Sequence, residues 1–545
     1  MMKVRILFLM LIAGGKLMGQ PNVIQKAMRD EIDRSMRELK LDTLQPPCYV
    51  SCSISDVTYY NISATLGGIL NSSEQKARAK GNRVLVGTYE MNDESLDNNL
   101  FSAPEANDIA VPLDDDYLGI RRALWVSIDN VYRSASRQHA KNVETWREQK
   151  KPLEEIPHRV FAKVPAIKLA LPLPAVTFDK KKWETYLKQL TQRFVTTDYP
   201  GSSLSLRFEQ GIEYFESSEG TSLKLPVQKT ALQLTIVGRT PEGELVFDQH
   251  TWEVHQPDDL PTMAELDAEI TRRLARIEAQ TKAKKLEDDY TGPVLIEGSS
   301  VADVLASILF AGRERLVYDN NIPNPASLRA DARATLENRL GKNILDPAIT
   351  VKALARTHTY KGVPLLGAFE ADSEGTVPPA ELVLVEKGIL KDMLNDRSLT
   401  STAQTANGHR DGPGVIQVVV SEQATPRQLK EKLIAQAKAA GLEYALIVRN
   451  EELARYGILN VYKVDVNTGA ETYERNARFN QFSFRTLRKV VATAEDAAYN
   501  VSGNGNSTSY IVPQQLLLGE LEILRAEMPA FKEEEFVKNP LKHNP

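Results

Sequence analysis

The chain is poor in the residues that most often carry recognisable chemistry. Among 545 residues there are two cysteines and seven histidines. Cys48 and Cys52 are too few for a disulfide framework to organise the fold. On a strand they would share a face about 13 Å apart at 3.3 Å per residue, too far to bond, whereas in a turn they could bridge. The histidines are His139, His158, His250, His255, His358, His409 and His543, and no two lie four apart as a helical metal site requires. GxxxxGK[ST] and GxSxG do not occur, and Gly67-Gly68 lacks the strand–helix setting of a phosphate cradle. Neither cysteine has a histidine near it in sequence, so nucleophilic catalysis has no support. A net charge of -5, without a basic stripe, gives no electrostatic case for nucleic acid. No segment has the apolar length of a membrane span.

What is present describes an ordinary folded protein, 42% hydrophobic and 26% charged, long enough for two or three domains. Lys3 and Arg5 precede an apolar run from Ile6 to Ala13 and then small and polar residues through Gly19 and Gln20. That order matches a secretory leader over residues 1–19, so the expectation is an exported protein, periplasmic or extracellular. Apolar spacing predicts a helix from Asn22 to Leu39, and a long one over Asp115 to Lys150 with Ile120, Leu124, Ile128, Val131 and Tyr132 on one face. Between them CYVSCSISDV, YYNISATLGGIL and RVLVGTYEM read as strands separated by turns. These elements make a first α+β domain over residues 20–150.

Residues 151–289 form a middle, strand-rich region. Pro152 to Pro174 reads as a connector and Asp179 to Arg193 as a helix. SLSLRFEQGIEYFESSEG and ALQLTIVGRTPEGELVFDQHTWEV read as hairpins, the second turning at PEG. The charged helix beginning TMAELDAEI reads as a solvated bridge. Residues 290–545 run in short strands and glycine turns, with Asn500 to Tyr510 a loop and a frayed tail after Lys532.

Several pieces of that last region resemble, in order, the TldD/PmbA family of peptidases. YTGPVLIEG (Tyr290 to Gly298) resembles the strand before the family's HExxxH helix, and DPAITV (Asp346 to Val351) the strand after it. GAFEADSEGTVPPAELVLVEKGILKDML (Gly367 to Leu394) resembles the family's acidic segment and following hairpin, turning at Gly388. TANGHRDG (Thr405 to Gly412) resembles its glycine–basic turn, and PQQLLLGELEI its closing strand. The resemblance implies an α+β protein with an α/β-type N-terminal region and a largely β C-terminal domain. It also implies members that pair, an HExxxH-bearing subunit with a motif-less one, around a cavity that degrades unfolded peptides.

With Gly312 aligned on the glycine of the motif, its His, Glu and His positions fall on Ile308, Leu309 and Arg313. A zinc peptidase needs neutral imidazoles and a carboxylate there. Ile308 and Leu309 instead continue an apolar stripe through residues 304, 305, 308, 309, 312 and 316, and read as core packing, with Arg313, Glu314 and Arg315 a solvated helix end.

The expectation is therefore a metal-free partner or peptide-binding subunit, a pseudoenzyme without catalytic residues or cofactor. It would be paired with itself or with an HExxxH-bearing paralogue, and take unfolded peptide. Glu374, Gly375, Gly408, His409 and Arg410 are the candidate substrate or interface residues. Residues 407–411 otherwise read as a polar surface loop, and Glu370, Asp372 and Glu374 as a solvated acidic turn. Two alternatives stand beside this. One is an active metallopeptidase holding zinc through unusual ligands such as His358 and His409; the other is a non-enzymatic envelope binding protein. His250 and His255, oddly spaced on a strand, point to opposite faces, and His139 reads as exposed.

Overall fold

The computed structural model describes residues 22–40, 44–96, 109–195, 201–312, 314–320, 336–401, 404–449, 457–502 and 507–528. The leader-like residues 1–19, Arg313, His543 and the tail after Lys532 lie outside them. The architecture is α+β.

Helix α1 (Val23–Glu38) starts at Asn22, whose side chain accepts the Gln25 amide. Strands β1 (Pro47–Thr65) and β2 (Gly68–Val86) follow. The three strand-like runs are thus one long hairpin. Leu66 and Gly67 both have positive φ, 48° and 75°, the paired left-handed geometry that lets a two-residue turn follow the strand twist. Helix α2 (Tyr117–Gln149) is capped by Asp116. β3 (Val160–Phe161) and β4 (Lys168–Ala170) are short strands in the proline-rich connector.

Helix α3 (Lys180–Thr191) leads into β5 (Ser203–Ser217), β6 (Ser222–Arg239) and β7 (Leu245–Val254). The first expected hairpin is therefore a single strand, β5, and its turn into β6 uses the terminal SSEG residues. β5 pairs with β1 along its length, so one six-stranded sheet, ordered β2-β1-β5-β6-β4 with β7 on β6, spans the boundary at residue 150.

All four helices so far lie on one face of that sheet. Val50, Cys52 and Ile54 of β1 pack under α1 and α2, and Ile62 and Ala64, in phase with them, pack under α3 and α4 (Met263–Lys282). The charged helix α4 is no solvated bridge. Its Leu266, Ile270 and Ile277 are buried, because a helix charged on one side can still present an apolar stripe on the other. The opposite sheet face carries Ser51, Ser53, Ser55 and Tyr59 and is turned toward the C-terminal region.

That region starts after β8 (Lys284–Lys285) with β9 (Tyr290–Glu297). β9 is central in a seven-stranded sheet, parallel to Tyr444–Arg449 and antiparallel to Gln515–Arg525. A six-stranded sheet contains β10 (Ile349–Ala353), flanked by Leu382–Glu386 and Val415–Val420. Helix α5 (Ser299–Ala306) inserts between the sheets, and both contribute to one core with it. Helix α6 (Pro426–Ala439) covers the outer face of the seven-stranded sheet through Leu429, Leu433 and Ala437. The loop expected at 500–510 is largely strand: Asp496–Ser502 pairs with Ser507–Pro513.

Candidate functional site

Two places carry the functional expectations. The first is the end of α5. The helix widens into a π-helical turn over Ser307–Ala311 and stops at Gly312. Ile308 and Leu309 are 1% and 0% exposed, in the core shared by the two sheets. The Leu316 amide returns to the Leu309 carbonyl at 2.8 Å, so the chain folds back before the stripe can continue as helix. Neither side chain offers a lone pair, and the residues present do not fit a zinc ion.

The second place lies where the segment after α5 leads. The Asn320 amide nitrogen donates to the side-chain oxygens of Asn395 and Asp396, each at 2.8 Å. Beside them the loops 370–376 and 407–411 meet. Gly375 has φ +78° and Gly408 φ +74°. A Cβ on Gly408 would lie 2.8 Å from the Pro378 nitrogen, and one on Gly375 2.5 Å from Thr221, so both positions demand glycine twice over. Asp372 ties the first loop by accepting the amides of Glu374 at 3.1 Å and Thr376 at 2.8 Å.

The result is not a solvated acidic turn. Asp372 is 1% and Glu374 6% exposed. One Glu374 oxygen accepts from Arg83 and, at 2.9 Å, from Arg410; the other accepts the Arg397 amide at 3.1 Å. Arg83 also donates to Glu94 at 3.0 and 2.5 Å and to the Ser398 hydroxyl at 3.0 Å. Arg397, 1% exposed, donates to the Ala162 carbonyl and to Glu219, and both guanidiniums lie over the Phe161 ring, at 4.1 Å and 4.5 Å. Six chain segments, at residues 83–94, 161–162, 219, 374, 397–398 and 410, thus meet in one buried lattice joining the hairpin β1–β2 to the C-terminal region.

Burial would raise the Glu374 carboxyl, but Arg83 and Arg410 outweigh it and hold it below the ordinary value. Asp372 goes the other way: burial, with Glu374 adding to it, pushes it up to about 7. His409 is 4% exposed and not on the surface. Burial lowers its pKa to about 4, the Asn407 carbonyl opposing. Nδ1 lies 2.8 Å from that carbonyl and so carries the proton, leaving Nε2 as a buried lone pair without a hydrogen-bond partner among the described residues. Both Glu374 oxygens are engaged by donors, which suits a lock and not a general base.

The expected residues Glu374, Gly375, Gly408, His409 and Arg410 are therefore brought together, while Ile308 and Leu309 belong to the core. Glu370 stands apart, bonded to Arg356 at 3.0 Å and His358 at 2.8 Å. His139, read as exposed, is half-buried against Gly87 because that glycine leaves room for its ring. Arg83, Glu94, Phe161, Glu219 and Arg397 are not marked in the sequence; Arg83 stands in a strand that also carries Glu74, Lys76, Arg78 and Lys80, so its charge gives no distinguishing signal. Cys48 and Cys52 both lie on β1 as free thiols, and burial pushes Cys48 up to about 12.

Around the lattice the helix-free sheet face is open. Ser53, Ala79, Gly81, Arg207 and Glu213 on it are exposed. It is bridged to the C-terminal region at one end by Arg83 and Glu374, and at the other by the Ser507 hydroxyl, 3.0 Å from Glu253. Glu213 keeps water contact, yet enclosure raises its carboxyl, with Asp411 and Glu209 adding to the effect, as on the wall of a recess.

Two packed sheets enclose an inserted helix beside an open sheet face. Residues 291–517 match the PmbA/TldA metallopeptidase C-terminal domain, so this stretch of the chain is a domain of the TldD/PmbA family. Its fold is similar to that of a candidate modulator of a DNA gyrase from Thermotoga maritima, with a TM-score of 0.53 and 13% identity, covering 91% of this chain and 99% of that one. TldE from Thermococcus kodakarensis gives 0.52 and 13%, covering 91% and 100%. A second candidate gyrase modulator, from Bacteroides thetaiotaomicron, gives 0.53 and 11%, covering 92% and 98%. The sequence matches no curated protein.

Proposed function

We propose that this chain is an exported TldD/PmbA-family subunit that holds no catalytic metal, pairs with a second subunit and receives unfolded peptide. The observation that carries the reading is the burial of Ile308 and Leu309 where the family's resemblance calls for a histidine and a glutamate. An apolar pair packed among both sheets cannot ligate zinc, and no rotation short of unpacking the core would expose it. The open sheet face supports the peptide part: small side chains leave room for an extended chain, and charges of both signs border it. The alternative ligand pair gains nothing from the geometry. His409 is buried, whereas the His358 side chain is 57% exposed and already bonded to Glu370.

The test is elemental mass spectrometry of the purified chain, residues 20–545, alongside chelator-sensitive cleavage of an unstructured peptide. Less than about 0.1 zinc per chain and no cleavage supports the proposal, since a structural or catalytic site binds metal tightly. Close to one zinc per chain surviving dialysis overturns it. Peptide that neither binds nor is cleaved, with or without an HExxxH-bearing paralogue, returns the reading to a non-enzymatic envelope binding protein.

A further inference from the structure

The N-terminal sheet with its helices and the C-terminal region share almost no apolar packing. Among the described residues the buried apolar clusters of each half end within it, except that Ala371 packs with Phe215 and Leu223. What joins the halves is polar and gathers at two corners. One is the lattice around Glu374, beside which the Arg159 guanidinium donates to the Asn320 carbonyl at 2.6 Å and β3 pairs with Ser398–Leu399. The other is the turn between β6 and β7. Its Glu244, 3% exposed, accepts from Arg475, from Lys285 and, at 3.3 Å, from the Asn476 side-chain amide. The chain passes from one half to the other at this corner. The Ala283 carbonyl accepts from Arg475 at 3.1 Å, and the Leu286 amide donates to the Arg475 carbonyl at 2.9 Å. The corners lie diagonally across the sheet. Arg83 stands on the β2 edge, level with Ser51 and Ser217, where β6 begins. Glu244 stands beyond the far end of β6, whose 18 residues span about 56 Å at 3.3 Å per residue.

We infer that the two halves are hinged bodies: the corner at Glu244 and Arg475 is the pivot, the lattice around Glu374 is a latch, and release of the latch swings the helix-free sheet face open. Halves with separate cores and a polar boundary are those that move against each other, and a hinge needs only a few residues at the ends of elements. The pivot holds because the covalent crossing and the buried ion pairs coincide there. The latch releases because its charges regain water together on opening, which offsets most of what their pairing contributes. The Ser507–Glu253 bond is a single hydroxyl contact on the β7 edge, the pivot side of the sheet. Over a lever of this length a rotation of about 10° moves the latch end by about 10 Å, the thickness one further layer of extended chain occupies on a sheet. Opening depends on neither the metal nor the peptide part of the proposed function.

The test is a pair of spin-label distances on the full chain in a Cys48→Ser background, Cys52 being 1% exposed and out of a label's reach. Glu90→Cys with Ala380→Cys flanks the latch, Ala279→Cys with Arg478→Cys flanks the pivot, and all four positions are exposed. With the latch intact, one main distance is expected across it, beside a longer one in about 0.1–10% of molecules. Glu374→Gln should raise the longer population about a hundredfold, the factor implied by the loss of one member of a buried pair, until it saturates. The longer distance should exceed the main one by about 10 Å, and the pivot distance should stay unchanged. Arg410→Gln, at a side chain 36% exposed, is the milder release and should raise that population about tenfold; it decides the matter if circular dichroism shows Glu374→Gln unfolded. A folded variant whose latch distance stays as in the wild type overturns the hinge. Equal lengthening at both label pairs overturns the pivot, because the halves then separate instead of swinging.

Discussion

The lattice around Glu374 yields the sharpest prediction. Replacing Glu374 by glutamine keeps the shape and removes the charge. The Glu374 side chain is 8% and that of Arg83 19% exposed, so little water can take over the lost partner. Removing one member of a buried ion pair costs about 3–5 kcal/mol. Arg83 retains two bonds to Glu94, which places Glu374→Gln near the lower end, about 3 kcal/mol by the same reasoning. A glutamine also turns an N–H₂ toward a donor, either an arginine or the Arg397 amide. The readout is hydrogen exchange of segments 78–86 and 393–411, where 3 kcal/mol is a factor of about a hundred in opening. Arg83→Met with Glu374→Leu should recover much of the protection, because an apolar pair carries no desolvation cost. The sign with pH follows from the lowered Glu374 pKa. Its stabilisation is present above the ordinary carboxylate range and is lost as pH falls through the depressed value, a loss that Glu374→Gln should not show. Exchange within about threefold of wild type, less than 1 kcal/mol, would refute the lock.

His409 should weaken the fold in acid. Its pKa falls from 6.5 to about 4, and 2.5 units at 1.36 kcal/mol each is about 3 kcal/mol, lost progressively as pH drops from 6.5 to 4; His409→Leu should flatten that limb of a urea-midpoint profile. Asp372 acts oppositely, since its carboxyl is raised to about 7 and stability declines as pH climbs from about 4 to 7; Asp372→Asn should gain relative to wild type above neutrality. Leu309→Ala should cost about 2–5 kcal/mol, and Ile308→His with Leu309→Glu should destabilise the chain without adding zinc, measured by melting and elemental analysis. Gly408→Ala should lower stability by about 1–3 kcal/mol for the positive φ alone, with the Pro378 backbone contact adding to it, read as a reduced denaturant midpoint.

How far the sequence could be read depended on the range of each interaction. The stripe through Val304, Leu305, Ile308 and Leu309 was legible because helical periodicity is local. The hairpin β1–β2 reads in sequence as three strands because two runs of 19 residues, interrupted by small polar side chains, look like separate segments until they pair with each other and β1 with β5. Helix α4 reads as a bridge in sequence because its charges are visible there and its partner strands are not.

The sequence by itself determined the α+β class, the helix faces, the apolar pair at Ile308 and Leu309 and the ordered glycine turns of the C-terminal region. Each follows from spacing within a few residues. Only the tertiary structure decided that Glu374 and His409 are buried and that a charge 291 residues away, on Arg83, holds the carboxylate. An ion pair depends on where two backbones are carried by their separate cores, and that placement leaves no periodic mark on either segment.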